Sequence, residues 1–113
     1  MKTKIFSFLF FSIFISYSQI NNFKLNYNLD DSLNETSGLI FYNSKIITHN
    51  DSGNNPKLYE LDSITGNLIR TVTINNATNI DWEDISQDNE HIYIGDIGNN
   101  SGNRKDLKIY KIK

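Results

Sequence analysis

Asp51-Ser52-Gly53-Asn54-Asn55 and Asp96-Ile97-Gly98-Asn99-Asn100 spell one phrase, D-x-G-N-N, twice, 45 residues apart. The neighbours repeat with it. Lys45-Ile46-Ile47-Thr48-His49 and His91-Ile92-Tyr93-Ile94-Gly95 come before; Leu58-Tyr59-Glu60-Leu61 and Ile109-Tyr110-Lys111-Ile112 come after. Further upstream, Glu35-Thr36-Ser37-Gly38-Leu39 answers to Glu83-Asp84-Ile85-Ser86. A period of roughly 40–50 residues with several short strands per unit is the signature of a β-propeller blade. The expected class is therefore all-β, built from blades of four antiparallel strands.

Working outward, the first blade occupies residues 35–80. Its expected strands are Gly38–Tyr42, Lys45–His49, Lys57–Asp62 and Leu68–Ile74. Asn43-Ser44 joins the first pair, and Thr65-Gly66-Asn67 makes a tight turn in which Gly66 supplies a positive φ. The second blade, residues 81–113, has three expected strands: Asp81–Ser86, His91–Asp96 and Leu107–Ile112. The interval between the two tyrosines, Tyr59 and Tyr110, exceeds that between Asp51 and Asp96 by six residues, which places an insertion near Ser101 to Lys105. Residues 19–34 hold one more alternating segment, Phe23–Leu29, and a loop. The alternation predicts a half-buried strand, assigned to closing the last blade. Blades bury their faces only against neighbours. Two of them predict an N-terminal part of a larger propeller; the alternative is a small chain that closes by self-association.

Residues 1–18 read as a secretory signal peptide. Lys2 and Lys4 precede an apolar run, Ile5 to Ile15, and Ser16-Tyr17-Ser18 offers small residues for cleavage. Eleven residues fall short of the ~20 that a spanning helix needs. The expected address is the periplasm, the outer surface or the medium. The remaining 95 residues carry 9 basic against 13 acidic side chains. That balance excludes the basic face of a nucleic-acid binder. There is no cysteine, so an exported chain must be held by sheet hydrogen bonds and packing alone. The 17 asparagines fit a chain rich in turns.

The chemistry-bearing residues cluster at strand ends. Asp51 and Asp96 can close Asx turns, with Gly53 and Gly98 at positive φ; their oxygens also suit a hard cation such as Ca²⁺. Glu35 and Glu83 stand at the starts of the first strand of each blade. If those strands are innermost, carboxylates from successive blades converge near the axis, and a divalent cation relieves their repulsion. Asp81 and Asp84 are weaker ligands by the same reasoning. Trp82 reads as packing between blades. His49, at a strand end, is a remote catalytic base, and His91 a face residue. Arg104 and Lys105 either hold an anionic group or pair with Asp96 or Asp106. No nucleophile elbow, P-loop or dinucleotide fingerprint is present.

Together E-T-S-G-L, T-H-N-D-S-G-N-N-P-x-L-Y-E-L-D, D-W-E-D-I and I-Y-I-G-D-I-G-N-N resemble exported bacterial β-propellers. The likeness is to uncharacterised flavobacterial proteins and to the domain named for the esterase-like activity of phytase. More distantly the chain is similar to six-bladed, calcium-dependent propellers of the paraoxonase, gluconolactonase and strictosidine synthase kind. The resemblance covers Glu35 to Ile112. It implies an acidic ligand at an inner-strand start, which falls on Glu35 and less surely on Glu83. It also implies Ca²⁺-assisted hydrolysis of an ester, lactone or phosphoester by a full ring, with the other ligands and the catalytic acid or base drawn from further blades. A non-catalytic module binding a glycan or protein is the rival reading, and a truncated, inactive frame the third.

Overall fold

A computed structural model describes residue 24 and residues 26–113. The signal segment and the cleavage site lie outside these, as do Phe23 and Leu25 of the alternating segment. Within that segment the described residues 26–29 belong to no strand; a strand needs a hydrogen-bonded neighbour, and neither sheet offers one there.

The fold is all-β, in two antiparallel sheets. Sheet A has four strands in sequence order: β1 (Thr36–Tyr42), β2 (Lys45–Asn50), β3 (Lys57–Asp62) and β4 (Leu68–Thr73). Sheet B has three: β5 (Trp82–Gln87), β6 (Ile92–Asp96) and β7 (Lys108–Ile112). A single 3-10 turn, Asp31–Leu33, precedes β1 and is capped by the Asp30 carboxylate, which accepts from Ser32 N. The seven strands expected of the two blades are present, with ends that match or shift by one or two residues; the eighth, expected at Phe23–Leu29, is not formed at its described residues 26–29.

Turn chemistry sets the register. Asn43 and Ser44 both take positive φ, 48° and 62°, as a two-residue hairpin matching strand twist requires. Gly66 has φ 74°. Its hairpin is tied by Asp62, whose Oδ1 accepts from Ile64 N and Thr65 N. The Tyr27 ring lies on Gly66 where any Cβ would stand.

The two sheets repeat in space with a constant offset. Thr36 pairs with Asn50 and Leu39 with Thr48 in sheet A; Trp82 pairs with Asp96 and Ile85 with Ile94 in sheet B. Each first strand is irregular at the same place, between Thr36 and Leu39 and between Trp82 and Asp84. Across the first two strands corresponding residues are therefore 46 apart. Across the third they are 51 apart, since Tyr59 faces Thr48 as Tyr110 faces Ile94. The longer β6–β7 connector thus holds five extra residues rather than six. The offset of 46 also means that Asp96 stands where Asn50 stands, not where Asp51 does. The repeated phrase is one residue out of step with the backbone.

The front of sheet A carries Ile40, Ile47, Leu58 and Val72. These pack against Trp82, Ile85, Ile94, Tyr110 and Ile112 of sheet B in one core. By the offset, Ile85, Ile94, Tyr110 and Ile112 correspond to Leu39, Thr48, Tyr59 and Leu61, which lie on the back of sheet A. The front of one sheet therefore meets the back of the next. Strand β1 runs beside β5 with corresponding residues in contact: Ser37 Oγ donates to Glu83 O at 3.5 Å, and Gln87 Nε2 donates to Phe41 O at 2.7 Å. Burying a Leu- or Ile-sized side chain contributes roughly 1.5–3 kcal/mol, so this interface dominates the stability of the pair. A second, smaller core on the back of sheet A joins Leu33, Tyr59 and Leu61. The β4 strand has no counterpart in sheet B. A cleft lined by Val72, Ile74, Leu58, Ile92 and Ile112 opens beside it. Along this cleft Glu60 is paired with both Lys45 and Arg70, and those two cations hold its carboxyl below the usual range.

Candidate metal centre between the sheets

The site lies where β1 and β5 begin and β2 and β6 end. One buried side chain stitches the sheets together there. Asn79 Nδ2 donates to the carbonyls of Asn50 and Asp51, at 3.0 and 2.9 Å, and its Oδ1 accepts from Trp82 N at 3.1 Å. A primary amide can donate twice and accept, and here all three functions cross from sheet A to sheet B. Asn79 thus fixes Asp51 beside the start of β5. Nothing in the sequence distinguishes Asn79 from the other asparagines.

Asp81 is held on the opposite side. Its N–H donates to Asp96 Oδ1 at 3.0 Å, and its carbonyl accepts from Gly98 N at 3.1 Å. Its carboxylate lies over Gly98, in the space a Cβ would fill. Gly98 is thus required by close approach and not by a positive φ, which only Gly53 of the two phrases adopts, at 73°. That corrects the expectation for the second turn.

Carboxylate oxygens of Asp51, Asp81 and Glu83 lie within 4.8 Å of one another. Two unit charges at such range repel by about 1 kcal/mol in water and about 4 kcal/mol at an effective dielectric constant of 20. Oxygens that share a Ca²⁺ at 2.3–2.6 Å span at most about 5 Å, so the spacing suits one hard cation. Three carboxylates fall short of the 6–8 oxygens Ca²⁺ takes; waters, carbonyls or further residues would complete the shell.

The structure divides the residues singled out by sequence. Glu83 and Asp51 come together, with Asp81 as the third member. Glu35 stands apart from this trio: its Oε2 accepts from Asn54 Nδ2 at 2.6 Å, and its carbonyl accepts from Asp51 N at 2.8 Å. Asp96 is fully buried and faces Arg104, 3.1 Å away. Arg104 also donates to Gly98 O and to Asp106 Oδ1, at 2.8 and 3.0 Å. Arg104 is therefore a structural clamp on the β6–β7 connector, and Asp106 and Asp96 hold its guanidinium charged. Asp84 Oδ1 accepts from Ile85 N. Trp82 is wholly buried, donates from Nε1 to Thr78 O at 2.9 Å, and packs edge-on to His49 with centroids 5.7 Å apart. His91 sits 3.4 Å from Asp88 at the β5–β6 turn, beyond the opposite end of β5 from Glu83.

His49 has no exposure to solvent. Its Nδ1 contacts Asn50 O at 3.0 Å, and its Nε2 has no partner among the described residues. A Cβ on Gly38 would stand 2.6 Å from that Nε2 and 2.7 Å from Ile85 Cγ2, so Gly38 is what lets the imidazole and β5 close together. Burial pushes the pKa of His49 down, and the ring is neutral at pH 7. Compared with family models, curated proteins and solved structures, the chain matches none.

Proposed function

We propose that this chain is an exported, β-propeller-type binding module steadied by a divalent cation of the Ca²⁺ class at the junction of its sheets. The observation that carries the reading is the convergence of Asp51 from sheet A with Asp81 and Glu83 from sheet B. Front-to-back packing supports the propeller. Sheets stacked so that unlike faces meet continue in one rotational sense, and such a series forms a ring where the rotation closes and an open stack where it does not. First strands from successive sheets then line the axis, and their acidic starts gather there. Ca²⁺ would couple the two sheets, neutralising charge that otherwise opposes their contact.

Hydrolysis of an ester, lactone or phosphoester asks for more than a cation. It needs a base within reach of substrate. His49 is sealed from solvent by Gly38, Ile85 and Trp82, which is the setting of a structural histidine. We therefore place binding ahead of catalysis.

The test is a melting curve with Ca²⁺ and with EDTA. A ligand bound only by the folded state adds about 2.7 kcal/mol at a hundred times its Kd, so Ca²⁺ raises the Tm. Glu83→Gln and Asp81→Asn should each abolish most of that rise. Identical curves in Ca²⁺ and EDTA would remove the cation from this reading.

A further inference from the structure

We propose that residues 26–34 are a lid, a strap that swings off the back of sheet A as one body while both sheets stay folded. The inference does not depend on the cation. Little holds the strap down. Within it Leu33 is buried and Tyr27 half-buried, and the other residues are exposed. Leu33 packs on Tyr59 and Leu61, and the Tyr27 ring lies on Gly66. Among the described residues, its hydrogen bonds to the sheet are those from Asn50 Nδ2 to Ser32 O, at 3.0 Å, and from Thr36 Oγ1 to Leu33 O, at 2.9 Å. The remaining bonds are internal. Asp30 Oδ1 accepts from Ser32 N and Ser32 Oγ, and Asp30 O accepts from Leu33 N. These survive when the strap lifts, so the turn moves without unravelling. The motion stops at Glu35, whose carbonyl accepts from Asp51 N and whose carboxylate accepts from Asn54 Nδ2. A segment with so few buried contacts opens at a lower free energy than the sheet beneath it.

The closed state also works against itself. Beneath the strap Asn50 is buried, and its Oδ1 has no partner among the described residues. An unpaired amide oxygen in the interior forfeits its hydration without a return bond; lifting the strap brings it to water. Two apolar anchors favour closure and one polar group favours opening, the balance that a two-state element needs. The open form would uncover a recess with Asn50 and Tyr59 Oη, which are bonded to each other, beside the apolar side chains of Leu61 and Ile46. In sheet B the corresponding end is closed by the buried Asp96–Arg104 ion pair instead.

The chain has no cysteine, so one introduced thiol reports opening cleanly. Leu61→Cys places it under the strap, and Leu58→Cys places it on the other face of the same strand, under sheet B. The native side chains are 1 % and 5 % exposed. Circular dichroism checks that each variant keeps its sheets, and Tyr59→Cys replaces Leu61→Cys if the latter does not fold. The measurement is the rate of maleimide labelling in low urea. The thiol under the strap should react at least about tenfold faster than the one at Leu58, with a rate that barely rises with urea, because lid opening exposes little surface. Tyr27→Ala and Gly66→Ala, the latter placing a Cβ inside the Tyr27 ring, should each speed labelling at Leu61 and not at Leu58. Gly53→Ala is the control: it shares the positive φ, 73° against 74°, and meets no atom within 4 Å. It should leave the ratio of the two rates unchanged. Equal rates that both follow global unfolding, or loss of the Tyr27 seat that alters neither rate or both alike, would overturn the proposal.

Discussion

The two sheets place different chemistry on one backbone frame. Where sheet A has Thr36 opposite Asn50, sheet B has Trp82 opposite Asp96. Asn50 has neutral partners, its Nδ2 donating to Ser32 O and Tyr59 Oη, while its buried Oδ1 has no partner among the described residues. Asp96 is a buried charge that depends on Arg104 and the Asp81 N–H. Five additional connector residues bring Arg104 to it. The comparison teaches that the repeat conserves hydrogen-bond register and not the identity of polar partners. The same end of each sheet is tied down by local means: a 3-10 turn in one, a clamped loop in the other.

Breaking the frame at its corresponding positions should give unequal effects. Trp82→Ala empties the centre of the shared core and should cost about 3–5 kcal/mol. Thr36→Ala, at the equivalent place, removes one hydroxyl bonded to Leu33 O and should cost about 1 kcal/mol. Urea unfolding measures both. Equal losses would show that the sheets do not share a core around Trp82.

Arg104→Ala comes next. It strands the buried Asp96 carboxylate, for which about 3 kcal/mol is the expected loss. Asp96→Asn in that background copies the neutral residue of sheet A and should restore part of it. No recovery would mean that Arg104 acts through its contacts with Gly98 and Asp106 instead.

Acid should then separate the sheets through His49, which has no imidazole counterpart in sheet B. Its folded pKa lies below the unfolded 6.5. Above that pH both states are neutral and stability is full. As pH falls below about 6.5 the unfolded state takes up a proton that the native state resists, and stability declines by at most about 1.4 kcal/mol per pH unit. His49→Gln should flatten that limb between pH 6.5 and 5; an unchanged slope would assign it elsewhere. The lowered Glu60 carboxyl acts only at more acid pH, contributing stability above its unfolded 4.5 and losing it as pH falls through the folded value.

The smallest contrast is between the two glycines of the repeated phrase. Gly53→Ala meets no atom within 4 Å but keeps φ 73°, a strain of about 1–2 kcal/mol. Gly98→Ala should show itself differently, by pushing the Asp81 carboxylate aside and weakening the Tm response to Ca²⁺. A normal response in that variant would detach Asp81 from the cation.

Much of this frame is visible in the residues. Lys57–Asp62 is a strand end to end, and Thr65-Gly66-Asn67 and Asn43-Ser44 turn as their chemistry requires. What eluded sequence reasoning has one physical cause: register is set by hairpins and bulges, whereas motifs are read by letters. The letters align Asp51 with Asp96, yet the pairing of the first two strands repeats every 46 residues and puts Asp96 in the place of Asn50. The same blindness applies to the acidic trio. Glu83 and Asp51 were legible as strand-end carboxylates, but Glu35 reads identically and is drawn off by Asn54. Asn79, which sets the junction, has no sequence mark at all.

Gly38 and His49 of sheet A have exchanged sizes with their counterparts Asp84 and Gly95, which are paired across β5 and β6. In sheet A the imidazole leans over a bare backbone, its Nε2 2.6 Å from where a Gly38 Cβ would stand; in sheet B it is the Ile97 side chain that lies nearest Gly95, 3.1 Å from where a Cβ would stand, while the Asp84 carboxylate accepts from Ile85 N. The space beside a bare backbone is filled across the strand pair in one sheet and from the following loop in the other. A chimera that exchanges these strands must therefore carry Ile97 with Gly95.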